Sequence, residues 1–468
     1  MAGSSKQLSL FKRSGEEFNA PWERSFDRVL TPLDQFIRRQ TTSGMLLMLC
    51  AVIALIIANS PWSEAYQHLI HTPISIGVGG WELEKSLQHW VNDGLMALFF
   101  FIVGLELKRE VLVGELANLR LAALPIAAAI GGMLVPAFVF VTFSTDDTSL
   151  RGWGIPMATD IAFAIGVLVL LGDRIPKALI TFLIALAIAD DLGAVLVIAL
   201  FYTEQINMYA LAWAIGLFGV LIAFNRGGVR NSLPYFLVAI LLWMAMLTSG
   251  IHATVAGVLT AFTIPAFPKY DPMRFSTSVR EMLSRFDKAH SRDANILTND
   301  ELRSLTASLE EGISKVQAPL QRLEHQFHLP VALLVIPIFA LVNAGVPLGI
   351  ATLAEAFQHP VTQGVIAGLL VGKFIGIFGF SWLAIKLGVG VLPEGTRLAH
   401  IGGVALLGGI GFTMAIFIGD LAYLHHPELK VFAKTGVLIA SILAGALGCT
   451  WLWWCARQDA SIKGRREE

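Results

Sequence analysis

The chain has 468 residues, of which 55% are hydrophobic and only 15% charged. Soluble domains carry about 25% charged and about 45–50% apolar residues, so these values point to a membrane protein and exclude a string of soluble domains. Lys and Arg number 34 against 35 Asp and Glu, which leaves no basic footprint for nucleic acid.

The first 41 residues are polar, with Lys6, Lys12, Arg13, Arg24, Arg28, Arg38 and Arg39, and read as a cytoplasmic tail rather than a signal peptide. About 20 apolar residues in a helix cross a ~30 Å hydrocarbon core with every backbone group satisfied. Twelve runs meet that test, near 42–59, 90–112, 121–143, 156–172, 177–203, 207–225, 233–249, 251–267, 329–350, 361–386, 400–422 and 430–455. They make up a transmembrane domain over 42–456, followed by a tail at 457–468. Only Gly250 separates the seventh and eighth runs. With the N-terminus in the cytoplasm, inside segments hold 29 of the 34 Lys and Arg. Outer ends hold Lys85, Arg151, Lys430 and Lys434. This bias places both termini in the cytoplasm. Cys50, Cys449 and Cys455 sit in or beside apolar runs and form neither a disulfide framework nor a metal spacing.

Two connections have a pattern of their own. ISIGVGGWELEK at 74–85 alternates around Gly79-Gly80, which predicts an outer β-hairpin with a tight turn. A lone two-stranded hairpin is marginal in water, so it either pairs with a second copy or lies flat on the protein. The long cytoplasmic loop at 268–328 carries Leu302, Leu305, Leu309, Ile313, Val316, Leu320 and Leu323 at helical spacing. Thr298 with Glu301 resembles a capping box, and Pro319 is expected to kink or split the run. An amphipathic helix on the membrane surface or bundle floor is one reading; a regulatory or partner-binding segment is the other.

Four ionisable groups stand mid-span: Asp160, Asp190, Asp191 and Lys373. Each costs about 2.5–3.5 kcal/mol at the bilayer centre on insertion scales. Their distances from the span ends, at ~1.5 Å per residue, put them near one plane, as a site shared among helices needs. The adjacent carboxylates Asp190 and Asp191 repel each other. Either a proton or a hard cation relieves that repulsion, so the two compete for the same oxygens. Lys373 can balance one carboxylate while the other holds the ion; a buried Asp–Lys pair that only fixes helix packing is the plainer alternative. The fourth span opens WGIPMATDIAFAIG and the eleventh reads GGVALLGGIGFTMAIFIG. Both look broken. Half-helix N-terminal ends suit Asp160 and C-terminal ends suit Lys373. Spans three to five and ten to twelve then form triples with a broken middle member, entering from opposite sides as inverted repeats do. The expected fold is an all-α membrane protein of about twelve transmembrane helices, with those repeats, two broken helices and a small β-hairpin.

With NDGLMALFFFIVGLELKRE at 92–110, ATDIAFAIG at 158–166, ALAIADDLGA at 185–194, SGIHATVAG at 249–257, VGKFIGI at 371–377 and GIGFTMAIFIG at 409–419, the sequence resembles the NhaA-type sodium/proton antiporter family along nearly its whole length. The resemblance implies a bacterial inner-membrane exchanger of Na+ or Li+ for protons, electrogenic, active at alkaline pH, with no cofactor. It implies that Asp190 and Asp191 bind the ion and exchange protons, with Asp191 the more direct Na+ ligand. Thr159 and Asp160 match the break of the fourth helix, and Lys373 the lysine that offsets helix ends. Asp93, Glu106, His252 and Glu324 match positions tied to pH response, and the hairpin matches a homodimer contact. Packing would also account for His252, snorkelling to water for Asp93 and Glu106, and a solvated helix face for Glu324. The extended loop at about 271–318 departs from the bacterial type. A sodium-coupled solute symporter is the alternative transporter. An intramembrane aspartyl protease needs facing aspartates and GxGD; here the acids are neighbours, about 100° apart on one helix. A channel would show no competition between H+ and Na+.

Overall fold

The computed structural model describes residues 40–467 except 79–80, 204–205, 269–271 and 290–298. Most of the expected N-terminal tail and the Gly79-Gly80 turn thus lie outside the described residues. Helix α1 (Gln40–Ala58) bends by 114° into α2 (Ser63–His71). Strands β1 (Pro73–Val78) and β2 (Trp81–Ser86) pair antiparallel, with Pro73 opposite Ser86 and Val78 opposite Trp81. A π-helical turn at Val91–Leu95 leads into α3 (Met96–Val113), followed by α4 (Leu119–Phe143). A 3-10 stretch, Arg151–Met157, precedes α5 (Ile161–Leu170); then come α6 (Lys177–Phe201), α7 (Met208–Arg226), α8 (Ser232–Ser249) and α9 (Val255–Thr263).

The long connection folds as two helices, α10 (Pro272–Ala289) and α11 (Asp300–Val316). The side chain of Asn299, not Thr298, caps α11 by accepting from the amides of Glu301 and Leu302; Thr298 lies outside the described residues. Pro319 splits the run as expected, standing at the first turn of α12 (Pro319–Pro330), where its missing N–H costs nothing. Leu302, Leu305, Leu320 and Leu323 are buried, but Ile313 of the same pattern is exposed.

Helix α12 continues through a π turn at Val331–Val335 into α13 (Ile336–Asn343), so the ninth span begins some ten residues before the expected 329. Next come α14 (Ile350–Gln358) and α15 (Pro360–Ala367), which runs through a π turn at Gly368–Gly372 into α16 (Lys373–Lys386). Helices α17 (Leu398–Leu407), α18 (Phe412–Ala422) and α19 (Pro427–Glu467) complete the chain.

Among the described residues, seven helices are long and apolar enough to cross a membrane, and three bent pairs raise that to ten. The two bent pairs expected from sequence are there: Asp147–Met157 with α5 at 43°, and α17 with α18 at 48°. The expected spans outside the ten are the second and the eighth. Glu106, Lys108, Arg109 and Glu110 crowd the last two turns of α3. The eighth is shorter than 251–267: Gly250 ends α8 in the left-handed region (φ 85°), which glycine adopts freely, and α9 has only nine residues.

The crossing of α4 and α16 positions the site. Gly131 and Gly376 meet backbone to backbone, and a Cβ on either would strike the other's carbonyl oxygen. Gly376→Ala is therefore expected to destabilise the protein by about 1–3 kcal/mol through overpacking. Gly379→Ala, on the same helix with open space around it, serves as the neutral control. Thermal unfolding in detergent checks both, and equal melting of the two variants would contradict the close crossing.

Candidate functional site

The breaks in the two bent pairs expected from sequence meet. Asp160 caps α5, its Oδ1 accepting from Phe163 N at 3.0 Å. Its Oδ2 accepts from Thr413 N at 3.0 Å and Thr413 Oγ1 at 2.6 Å, in the first turn of α18. Its own amide donates to Ile410 O at 2.7 Å. One carboxylate thus joins two helix N-termini, whose free amides favour negative charge.

Thr159, one residue earlier, serves the opposite ends. Its Oγ1 is 3.0 Å from Gly408 O, at the C-terminus of α17, and 2.7 Å from Asp190 Oδ2. Its single proton serves one of these acceptors at a time. Lys373 Nζ donates to Thr159 Oγ1 at 2.9 Å and to Asp190 Oδ2 at 2.5 Å. Lys373 is wholly buried, and the glycine-packed crossing of α4 and α16 brings it there. Its charge meets the α17 terminus through Thr159 rather than directly.

Asp190 and Asp191, adjacent on α6, face different surroundings. Asp190 turns to Lys373 and Thr159. Asp191 lines a cavity of about 290 Å3, together with Asp160, Thr413, Glu106, Arg109 and Glu324. Asp191 Oδ2 and Asp190 Oδ1 are buried with no hydrogen-bond partner among the described residues. Unpaired carboxylate oxygen in a low-dielectric interior is costly. Asp191, with a cavity before it, has room for the partner that offsets the cost. The oxygens of Asp191, Asp160 and Thr413 are hard donors of the kind that suit an alkali cation or a proton.

The family model for Na+/H+ antiporter 1 matches residues 34–452. The chain is 54% identical to Na(+)/H(+) antiporter NhaA 1 of Saccharophagus degradans, over 92% of this chain and 93% of the relative. It is 52% identical to Na(+)/H(+) antiporter NhaA of Sulfurimonas denitrificans, over 94% and 98% respectively. The chain belongs to the Na+/H+ antiporter 1 family. Relatives named as antiporters make it a transporter and set the protease reading aside.

Of the other residues that resemblance to this antiporter family nominated, the structure makes two groups. Glu106 and Glu324 stand at the first cavity, where Arg109 Nη1 lies 3.0 Å from Glu324 Oε1 and its Nη2 lies 2.9 Å from Glu110 Oε1. Asp93 and His252 line a second cavity, of about 230 Å3, near the foot of the hairpin. Asp93 is buried rather than snorkelling, with His89 Nε2 at 2.8 Å and His252 Nδ1 at 3.9 Å.

Sequence reasoning passed over Thr413, although a hydroxyl directly after the glycine-rich break is a readable signal. It also passed over Arg109, and over the buried pair Asp420–Lys434, whose Oδ1 and Nζ lie 2.9 Å apart.

Proposed function

We propose that this family member exports Na+ (or Li+) in exchange for protons, by alternating access around Asp191. The supporting observation is the division of labour in the carboxylate pair: Lys373 occupies Asp190, and Asp191 offers a buried, unpartnered oxygen to a cavity. One site holds either a proton or a sodium ion, so loading one displaces the other. Release of more protons than sodium ions taken up makes the exchange electrogenic. Higher cytoplasmic pH removes the competing protons, which accounts for activation by alkali, with Glu106, Glu324, Asp93 and His252 tuning the response.

The same reading takes the ten apolar spans together with α3 and α9 as twelve, with spans three to five and ten to twelve as inverted repeats. The similar bends at the fourth and eleventh spans support it. The positive-inside bias puts both termini in the cytoplasm of a bacterium and the hairpin in the periplasm of its inner membrane, where the open edges of β1 and β2 would pair with a second copy.

Two measurements test the exchange. Sodium added to proteoliposomes should drive proton flux that responds to an imposed membrane potential. Calorimetric sodium affinity should fall as buffer pH is lowered. Sodium binding equally well in acidic and alkaline buffer would falsify shared occupancy.

A further inference from the structure

The two helices of the long connection have a core of their own. On α10, Phe275, Val279, Met282 and Phe286 recur at helical spacing and are half-buried. Helix α10 packs on α11, where Leu302 and Leu305 are buried and a Cβ added at Gly312 would stand 3.1 Å from the Phe275 ring. Leu302 and Leu305 lie outside the contiguous core of the bundle, which takes up the chain again at Leu320 and Leu323 on α12. The joint between the two cores is Gln317-Ala318. Both residues are extended, with ψ of 133° and 139°, and Pro319 bars a helix from running through them. Beyond the joint α12 is fixed to the bundle, with Leu320 N donating to Pro265 O at 3.1 Å.

A cavity of about 1110 Å3 separates α11 from α12. Glu310 and Ile313 of α11 line it on one side, and Arg322, His325 and Leu329 of α12 on the other. Arg109, Glu324 and His328 line both this cavity and the one that holds Asp191. The space under α11 is thus the mouth of the ion cavity. Ile313 is 54% exposed although it belongs to the apolar pattern of α11; it looks into the mouth, away from the hairpin's own core. Covering it against Leu329 would remove apolar surface from water, and Glu310 with Arg322 would add a modest attraction in the same direction. A short extended joint between two rigid bodies is the kind of place on which a lid swings.

We propose that the α10–α11 hairpin is a lid over the cytoplasmic mouth of the ion cavity, swinging on Gln317-Ala318 and closing by seating Ile313 on Leu329 and Glu310 against Arg322. In the structure the lid is raised. Lowered, it covers Arg109, Glu324 and His328, where the two cavities join, and holds water and ions back from Asp191. The proposal rests on the exchange reading only for what passes beneath the lid.

The test locks the lid. Ile313→Cys and Leu329→Cys are introduced together in a background where Cys50, Cys449 and Cys455 are replaced by Ser. Both positions border an open cavity, so neither core is disturbed. A disulfide needs Cα atoms within about 7 Å, so its formation on mild oxidation reports closure. Met414→Cys, which lines the ion cavity, is then labelled with a membrane-impermeant thiol reagent in inverted vesicles. Labelling is expected to be about tenfold slower with the lid locked, and to recover with reductant, because the open population is removed. Phe275→Cys with Gly312→Cys ties α10 to α11 but leaves the joint free, and is expected to keep the unlocked rate under the same oxidant. Failure of the Ile313–Leu329 disulfide to form, or unchanged labelling once it has formed, overturns the lid. Sodium-driven proton flux of the parent is measured in parallel: its absence counts against the exchange reading alone, since labelling needs no transport.

Discussion

Asp191→Asn is expected to abolish sodium-driven proton exchange while leaving the protein at least as stable as the parent. The two halves of that expectation have one cause. Asp191 Oδ2 makes no hydrogen bond among the described residues, so its replacement removes a buried charge and breaks no bond to that atom. Burying an unpaired carboxylate is unfavourable, and an amide of the same shape relieves the strain. Exchange depends on the charge itself. Two unit charges at ~4 Å attract by about 4 kcal/mol at an effective dielectric constant of ~20, which corresponds to roughly a thousandfold in cation affinity. Asn also cannot take up the exchanged proton. Asp190→Asn should give the other pattern: lowered stability, because Lys373 Nζ loses its 2.5 Å partner and stays buried. Thermal unfolding in detergent and dequenching of a pH dye in inverted vesicles separate the two. Activity near the parent's in Asp191→Asn, or equal loss of stability in both variants, would place the ion elsewhere.

The four mid-span charges were legible because lipid makes each of them expensive, so they stand out in the sequence alone. The two broken spans were legible through Pro156 and the glycines from 402 to 411. Which neighbour of the Asp190–Asp191 pair faces the cavity was not. That depends on the rotation of α6 about its axis, and the partners that hold Asp190, Thr159 and Lys373, come from outside that helix. Thr413 was hidden for a related reason: its importance comes from Asp160, 253 residues earlier in the chain. Asp420 and Lys434 sit near span ends, where a charge in the sequence is as easily a snorkelling one. Only the fold shows both to be buried. The eighth span was overestimated because apolar composition continues through the turn at Gly250; hydropathy records burial and is blind to a left-handed backbone.

Lys373→Met is expected to cost about 3–5 kcal/mol of stability, the usual penalty for leaving one member of a buried ion pair behind. Lys373 donates to both Asp190 and Thr159, so its loss strips Asp190 Oδ2 of its cation and leaves that carboxylate with only the Thr159 hydroxyl. That hydroxyl has one proton and is also within reach of Gly408 O; satisfying Asp190 leaves the carbonyl at the end of α17 unpaired. The double variant Asp190→Asn with Lys373→Met removes both charges together. It is expected to recover most of the stability, because a buried pair replaced by neutral groups of similar volume is often no worse than the pair itself. The coupling energy from this double-mutant cycle, read by unfolding in detergent, should be large and of restoring sign. Additive losses would mean that Lys373 stabilises the fold through its packing between α4 and α16 rather than through Asp190. The double variant also keeps Asp191 and its cavity. Sodium binding measured by calorimetry in that variant therefore reports whether one carboxylate suffices for the ion once its neighbour's charge and counter-charge are both gone.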